Sequence, residues 1–177
     1  MTLCGHGPEA ALIGSAALKQ LRLTNVDVDG VKADVSLKAE LVAAAQATTA
    51  RYGKVHILVN NAGVGGGGWT DASWNWTMGV SLMATIWGIE IFGPLIDQHG
   101  EGGHIVSTAS IAERINMVRE RVSRGIDPLY VGELVREGVE KDWPYIFTDL
   151  EFEPMIEARF AAIKQGFDHI RGRTPKR

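Results

Sequence analysis

The segment Val55–Val64, which reads Val-His-Ile-Leu-Val-Asn-Asn-Ala-Gly-Val, most constrains what this chain can fold into. Its apolar residues predict a short buried strand, and the asparagines and glycine that follow predict a tight polar turn. Four consecutive glycines, Gly65 to Gly68, come after the turn. Small residues at the carboxyl end of a buried strand leave the backbone exposed, and open α/β sheets bind nucleotides at such an edge. We therefore expect a flat ligand such as a nucleotide to bind where this strand ends.

Strand and helix patterns alternate along the whole chain. Apolar residues at helical spacing mark the helices, and short apolar or alternating runs mark the strands. The predicted helices are Pro8–Gln20, Leu37–Tyr52, Ala72–Gln98, Ile111–Val122, Asp127–Lys141 and Glu151–Ile170, and the predicted strands are Leu21–Asp27, Val31–Val35, Val55–Asn60, Gly103–Ser110 and Pro144–Thr148. This order is typical of a parallel sheet with helices on its faces, and 177 residues fit a single domain over residues 1–177.

Charge and cysteine content indicate which partners and which cellular compartment to expect for the chain. The net charge of -3 and the lack of a basic stripe argue against a nucleic-acid partner. The single cysteine, Cys4, cannot form an internal disulfide, which fits a reducing compartment. The start of the chain does not resemble a secretory signal, and the apolar stretch Ala10–Leu18 is too short to span a bilayer. We expect a soluble cytoplasmic protein without a membrane partner. The five histidines show no metal-ligand spacing, so no metal site is expected.

The turn Asn60–Gly63, Asn-Asn-Ala-Gly at the end of an apolar strand, is the motif that short-chain dehydrogenases/reductases carry after their fourth strand. The chain resembles this family through most of its length, and best from Val31 to Ala112. The resemblance implies a Rossmann-like three-layer α/β/α domain with a mostly parallel sheet, truncated relative to the family. It also implies hydride transfer between NAD(P) and a small-molecule alcohol or ketone substrate.

Two turns of the chain resemble the family's adenosine-binding segments. Asp34 and Val35 are similar to the acidic turn that touches the adenine ring. Asn61, Ala62 and Gly63 are similar to the turn that shapes the adenosine pocket. The resemblance therefore assigns the adenosine half of the cofactor to these five residues.

The glycine-rich loop that opens the family's fold is mostly missing. Gly5 and Gly7 stand before the first predicted helix as remnants of the loop, whose glycines let the backbone approach the pyrophosphate. Asp27 lies 22 residues beyond Gly5, close to the spacing of the acid that binds a ribose hydroxyl. Because a carboxylate repels a 2′-phosphate, the expected cofactor is NAD rather than NADP. The alternative is that Gly5 and Gly7 belong to a flexible terminus.

The link between the first two predicted strands also departs from the family. Asp27 and Val31 are separated by three residues, whereas a parallel crossover needs about a dozen or more. An antiparallel hairpin at Asp29-Gly30, or a single bent strand, can replace the crossover. In either case one helix that would cover a face of the sheet is missing.

The catalytic residues that the resemblance implies are incomplete. Ser110 occupies the position of the family's catalytic serine, and Ser81 occupies the position of its catalytic asparagine. The family's acid is a tyrosine followed four residues later by a lysine, whose charge lowers the tyrosine pKa. Residues 118–124, where the tyrosine is due, contain neither, and no tyrosine elsewhere has a lysine four residues later.

Three functional hypotheses remain open. The first is a short-chain dehydrogenase/reductase-type oxidoreductase with little or no turnover, because the tyrosine, its lysine and the asparagine are missing together. The second is a non-catalytic member of the same fold that binds a nucleotide or another subunit. The third is a deletion product that folds poorly. The C-terminal strand and helix, Pro144–Ile170, are the expected surface for a homo-oligomer, because the family pairs its subunits there.

Overall fold

Two parallel strands and the helices that connect and cover them form the part of the structure that bears on function. The computed structural model describes residues 18–24, 26–65, 68–109 and 125–173. The chain divides into two compact units, Met1–Ile111 and Ala112–Arg177, and the expectation of one domain over residues 1–177 stays a prediction. The elements are α1 (Lys38–Tyr52), β1 (Ile57–Asn60), α2 (Asp71–Met78), α3 (Ala84–Asp97) and β2 (His104–Ser107) in the first unit, and α4 (Pro128–Glu140) and α5 (Glu153–Asp168) in the second.

β1 and β2 pair in parallel, with Ile57 opposite His104 and Asn60 opposite Ser107. Parallel pairing requires a crossover connection, and the helices between the two strands supply it. α3 packs against both strands, and α1 packs against α3. One face of the sheet is therefore covered, while Ile57 and Val59 on the other face are 49% and 50% exposed. The predicted α/β class with a parallel sheet is confirmed.

The buried core lies between α1, α3 and the start of β1. Its buried residues are Ala45, Val55, Phe92 and Ile96, with Leu58, Ile91 and Leu95 packed against them. Phe92 and Ile96 are four residues apart on α3, so both side chains point to the same side of the helix. Burying a side chain of this size contributes about 1.5–3 kcal/mol, which anchors α3 on the sheet.

The helix predicted for Ala72–Gln98 is present, but it contains an irregular turn. α2 and α3 are joined by a π-helical segment, Gly79–Met83, into one stretch from Asp71 to Asp97. Thr70 caps the start by accepting a hydrogen bond from the Ser73 backbone N–H at 3.2 Å. Pro94 lies inside α3 without ending it. The stretch has 27 residues, and an 18-residue window within it has a mean hydropathy of 1.5, so by length and composition it could cross a membrane. One such helix is weak evidence for a membrane span, because the core helix of a soluble protein can have the same length and composition.

The predicted strand Leu21–Asp27 is wrong. Residues 18–22 are helical, and the backbone N–H of Leu23 donates to the carbonyl oxygen of Gln20 at 3.1 Å where the helix ends. The helix predicted for Pro8–Gln20 therefore continues past residue 20, although residues 8–17 lie outside the described part of the chain. The alternation Leu-Arg-Leu covers only three residues, which fits the last turn of a helix as well as a strand.

The segment Val31–Val35 is not a strand either. Ala33 makes an isolated bridge, and residues 26–32 have no regular structure. The Asp29 carboxylate accepts a hydrogen bond from the Gly30 backbone N–H at 2.9 Å, and neither the expected hairpin nor a bent strand forms in residues 26–35. An extended segment becomes a strand only when a neighbouring backbone completes its hydrogen bonds.

In the second unit, the predicted helix start is confirmed and the predicted strand is wrong. Asp127 caps α4 by accepting a hydrogen bond from the Leu129 backbone N–H at 2.9 Å. Residues 144–148, which were expected to form a strand, have irregular structure in the described region between α4 and α5. Ile146 packs over Gly138 of α4, where an added Cβ would lie 2.5 Å from Ile146 Cδ1. The segment is therefore held by side-chain packing and not by a ladder of backbone hydrogen bonds.

Candidate functional site

A cavity of about 640 Å³ lies beside β1 and the turn that follows it. The turn Asn60–Val64, the loop residues Asp34 and Val35, and apolar side chains of α1, β1 and α3 line it. Ligands of open α/β sheets bind in the crevice outside the carboxyl ends of the strands, where this turn lies. The volume falls within the range of roughly 300–1,000 Å³ that small-molecule sites occupy.

Asp34 and Val35 line one side of the cavity. Oδ1 of Asp34 accepts hydrogen bonds from the backbone N–H and the hydroxyl of Ser36 at 2.9 and 2.7 Å. The backbone N–H of Asp34 donates to Oε2 of Glu40 in the first turn of α1 at 2.5 Å. These bonds tie the loop to the start of α1 and fix the orientation of the carboxylate. Among the described lining residues, Asp34 is the one that carries a charge.

Asn61, Ala62 and Gly63 line the cavity from the end of β1. Oδ1 of Asn61 accepts a hydrogen bond from the Thr108 hydroxyl at 2.8 Å. The Thr108 backbone N–H donates to the Asn60 carbonyl oxygen at 2.9 Å, which extends the pairing between the two strands by one residue. The turn is therefore held in place by the carboxyl end of β2.

α3 approaches this turn closely because Gly88 has no side chain. A Cβ at Gly88 would lie 2.5 Å from Oδ1 of Asn60, which is too short for any real contact. Thr48 of α1 and Thr85 of α3 add two hydroxyl groups to the lining, and neither was predicted from the sequence. Thr48 lies four residues after the buried Ala44, so helical spacing was the signal that places it on the same face.

Ser81 lies in the π-helical segment, next to the cavity-lining turn. Its Oγ accepts a hydrogen bond from the Val64 backbone N–H at 3.4 Å, but Ser81 is not part of the cavity lining. π-helical turns inside α-helices are frequent at functional sites, and this one was not predicted. Ser110, Gly5 and Gly7, the other expected site residues, lie outside the described residues.

Asp27 forms an ion pair with an arginine of α1. Its Oδ1 lies 2.6 Å from Nη2 of Arg51 near the end of α1, and both side chains are at least half exposed. Asp27 is not part of the cavity lining, so its contact with a ribose stays a prediction. The structure thus brings together Asp34, Val35, Asn61, Ala62 and Gly63 and leaves Asp27 paired with an arginine.

Comparisons with known proteins agree on a family. The sequence profile described as short chain dehydrogenase matches residues 7–122. The chain is 30% identical, over 98% of its length, to a Streptomyces violaceoruber protein named as ketoacyl reductase 1 of granaticin polyketide synthase. A short chain dehydrogenase/reductase from Burkholderia phymatum, solved in complex with NAD, is 31% identical over 76% of this chain and 50% of that chain, with a TM-score of 0.58. The apo form of LigD from Sphingobium sp. strain SYK-6 shares the fold, with a TM-score of 0.75 over 99% of this chain and 87% of that chain at 23% identity.

The chain is shorter than the curated proteins that it resembles. It spans 69% of the Streptomyces violaceoruber protein and 47% of another curated relative. The match to the family profile covers the cavity-lining segments Asp34-Val35 and Asn60–Val64, as well as Ser81 and Ser110. The similarity therefore includes the candidate site itself and is not confined to the structural core.

Proposed function

This chain belongs to the short-chain dehydrogenase family, and we propose that it binds NAD with the adenosine half in the cavity beside β1. One observation carries the proposal: the two turns that resemble adenosine-binding segments, Asp34-Val35 and Asn61–Gly63, line a single cavity. α1 separates these turns in sequence, so the fold brings them together. The solved relative from Burkholderia phymatum, which is a complex with NAD, supports the choice of cofactor.

The side chains in the cavity suit an adenosine group. Asp34 offers an acceptor of fixed orientation for the adenine amino group, and Val35 and Ala62 offer apolar surface for the ring. An added Cβ at Gly63 would meet no atom within 4 Å, so the space beside this backbone is open to a ligand. Asn61 keeps the turn in place through its bond to Thr108 and leaves the backbone of the turn to contact the sugar.

The preference for NAD over NADP rests on Asp27 and Arg51 in this proposal. The Asp27 carboxylate would repel a 2′-phosphate close to this ion pair. Arg51 would not offset the repulsion, because its Nη2 is already paired with Oδ1 of Asp27 at 2.6 Å. Asp27→Asn removes the repulsion and frees Arg51, so we expect the ratio of NAD affinity to NADP affinity to fall by about tenfold. An unchanged ratio in this variant, measured by calorimetry, would remove Asp27 from the cofactor site.

We propose that the chain retains the family's oxidoreductase chemistry with a small alcohol or ketone at a strongly reduced rate. The cofactor, when bound, would accept hydride from an alcohol in its oxidised form or donate hydride to a ketone in its reduced form. Ser110 and Ser81 supply hydroxyl groups that can orient a substrate oxygen, but the sequence contains no tyrosine with a lysine four residues later to donate the proton. The loss of one positioned acid or base typically costs about 10²- to 10⁴-fold in rate.

A non-catalytic role in nucleotide binding or subunit association is the second candidate, because the proton donor is missing while the cavity is formed. In either case we propose a soluble cytoplasmic protein that forms a homo-oligomer through its C-terminal region. α5 supports this surface, because Met155, Phe160, Ile163 and Phe167 are exposed along it. Exposed apolar side chains in such number are typical of an interaction surface.

Calorimetric titration of the whole chain with NAD tests the cofactor site directly. Ala62→Trp fills the cavity with a large side chain at an exposed position, so we expect NAD affinity to fall at least about tenfold. Ala47→Trp is the matched control, because Ala47 is exposed on α1 and is not part of the lining. Unchanged NAD binding by Ala62→Trp would contradict the placement of the cofactor.

An activity assay separates the two candidate functions. Reduced nicotinamide absorbance is followed with a panel of alcohols and ketones, and we expect turnover that is slow or absent. A slow rate that Ser110→Ala abolishes selects the oxidoreductase, and NAD binding without turnover selects the non-catalytic role. A fast cofactor-dependent rate would contradict the proposed impairment.

A further inference from the structure

Two histidines and a glutamate meet at the amino-terminal edge of the sheet, at the opposite end of β1 from the Asn60–Gly63 turn. His56 immediately precedes β1, His99 follows α3, and Glu101 lies in the loop before β2. One ligand atom from each residue lies within 4.8 Å of the others. His56 and Glu101 are 45 residues apart in sequence, so the spacing of the histidines along the chain gives no sign of this cluster.

The distances in the cluster are close to those around a single bound ion. Nε2 of His56 lies 2.7 Å from Oε2 of Glu101, and the rings of His56 and His99 have centroids 4.4 Å apart. Donor atoms of a tetrahedral zinc ion lie about 2.0–2.2 Å from the metal and therefore about 3.4 Å from one another. Small side-chain rotations would bring the three donors to these separations.

His99 is oriented as a metal-binding histidine usually is. Its Nε2 lies 2.8 Å from the Val55 carbonyl oxygen, and because a carbonyl oxygen only accepts, Nε2 carries a proton. In the neutral ring this leaves the lone pair on Nδ1. Histidine ligands of metals commonly donate their other ring N–H to a backbone carbonyl, which fixes the tautomer. The present partner of Nδ1 is the Glu101 backbone N–H at 3.3 Å, a long contact that an ion would replace.

The loop that carries Glu101 has a glycine on each side of it, which suits a movement of the Glu101 carboxylate toward a bound ion. Gly100 and Gly102 flank the glutamate and have φ values of 67° and 78°, a conformation that glycine adopts at little cost. The carboxylate uses its two oxygens differently, since Oε1 is bonded to Lys54 and Oε2 to His56. Oε2 can therefore turn to an ion while Oε1 keeps its bond to Lys54.

We propose that His56, His99 and Glu101 bind a divalent transition metal ion, with Zn²⁺ as the best match to their chemistry. Two imidazoles and one carboxylate form a known three-ligand set for zinc, with water in the fourth position. The ion would join the start of β1, the end of α3 and the loop before β2. It would therefore stabilise the sheet at the edge opposite the Asn60–Gly63 turn. The competing explanation is an ion-pair network of Glu101 with His56 and Lys54 that binds no metal.

Zinc titration of the full chain after chelator treatment tests the proposal. We expect calorimetry to find one tight site and thermal melts to show a midpoint that rises with zinc. His56→Gln, His99→Gln and Glu101→Gln should each weaken binding at least about tenfold, since losing even an outer partner of a metal ligand costs about 10- to 100-fold. Melts without zinc show whether each variant is folded. Lys54→Gln, which removes a nearby positive charge, should instead strengthen binding severalfold.

Two control variants test whether Cys4, His6 or His169 binds zinc instead. His169→Gln removes an exposed histidine outside the cluster, and the double variant Cys4→Ser with His6→Gln removes the cysteine and histidine that are close in sequence. Both should bind zinc like the unmodified chain. Cobalt(II) gives an independent readout, since its visible absorption should disappear in the three ligand variants and persist in both controls. Binding that survives all three ligand substitutions, that is lost in the Cys4/His6 variant, or that is absent from the unmodified chain would overturn the proposal.

Discussion

Gly88 of α3 and Asn60 at the end of β1 are packed so closely that their substitutions should be energetically coupled. A Cβ at Gly88 would lie 2.5 Å from Oδ1 and 3.4 Å from Cγ of Asn60, while the next nearest atom, Cδ2 of Leu58, is at an ordinary 3.6 Å. Alanine in place of glycine inside a helix stabilises by about 1 kcal/mol, and overpacking costs about 1–3 kcal/mol. Gly88→Ala alone should therefore leave the free energy of unfolding unchanged or lower it by up to about 2 kcal/mol.

Asn60→Ala removes the atoms that would collide with the new methyl group. In that background Gly88→Ala should stabilise the protein by about 1 kcal/mol, so the double-mutant cycle should give a coupling energy of about 1–3 kcal/mol. Urea unfolding of the four proteins, followed by far-UV circular dichroism, measures each free energy. Gly132→Ala in α4 is the control for helix propensity, because its Cβ would meet no atom within 4 Å. A coupling energy of zero would refute the close approach of α3 to Asn60 at the end of β1.

Three further predictions concern other parts of the first unit. Ile96→Ala should lower the free energy of unfolding by about 2–5 kcal/mol because Ile96 is in the buried core, whereas Ile89→Ala, on the exposed side of the same helix, should cost far less in the same urea titration. Thr70→Ala should cost about 1 kcal/mol through loss of the helix cap, and Thr70→Ser should restore most of it in thermal melts; equal melting points for Ala and Ser would contradict the cap. Hydrogen bonds from His56 and Lys54 lower the pKa of Glu101 from 4.5 to about 2. A carboxyl group whose pKa is lower in the folded state than in the unfolded state stabilises the fold at pH values above its unfolded-state pKa. That stabilisation is lost as the pH falls through the folded-state pKa. The difference in melting temperature between the unmodified chain and Glu101→Gln, both with chelator, should therefore shrink from about pH 4.5 to about pH 2, and a difference that grows on acidification would contradict the pairing.

Helix boundaries were readable from sequence where a local signal fixed them. The helix predicted for Leu37–Tyr52 does end at Tyr52, and Gly53 follows it with a φ of 78° and its N–H bonded to the Thr49 carbonyl oxygen at 2.8 Å. Asp127 likewise caps the helix predicted to follow it. Both signals act between residues that are at most four positions apart, so no knowledge of the remaining fold is needed to interpret them.

Strands were predicted less well, because a strand depends on a partner that the local sequence does not contain. Val55–Asn60 and Gly103–Ser110 were recognised, and their paired parts are β1 and β2. Leu21–Asp27 and Pro144–Thr148 show similar apolar patterns, but neither segment pairs with a strand in the described residues. The pattern reports which side chains prefer burial, and only the fold decides whether a neighbouring backbone is there to pair with.

In the candidate site, too, some features can be predicted from local sequence and others depend on the fold. Asn61, Ala62 and Gly63 form one continuous turn, and Asp34 and Val35 form another, so sequence alone identified both segments of the cavity lining. Sequence could not show that Asp27 pairs with Arg51. Residues far apart along the chain meet only through the packing of helices on the sheet.

The sequence by itself determined the family, the turn after β1 and the absence of a tyrosine with a lysine four residues later, because each is written in a run of a few residues. Only the tertiary structure decided that the turns Asp34-Val35 and Asn61–Gly63 share one cavity, and that His56 lies beside His99 and Glu101 at the other end of β1. The physical reason is that parallel pairing of β1 with β2 gathers residues from distant parts of the chain at two opposite edges of the sheet, and local propensity does not encode that meeting.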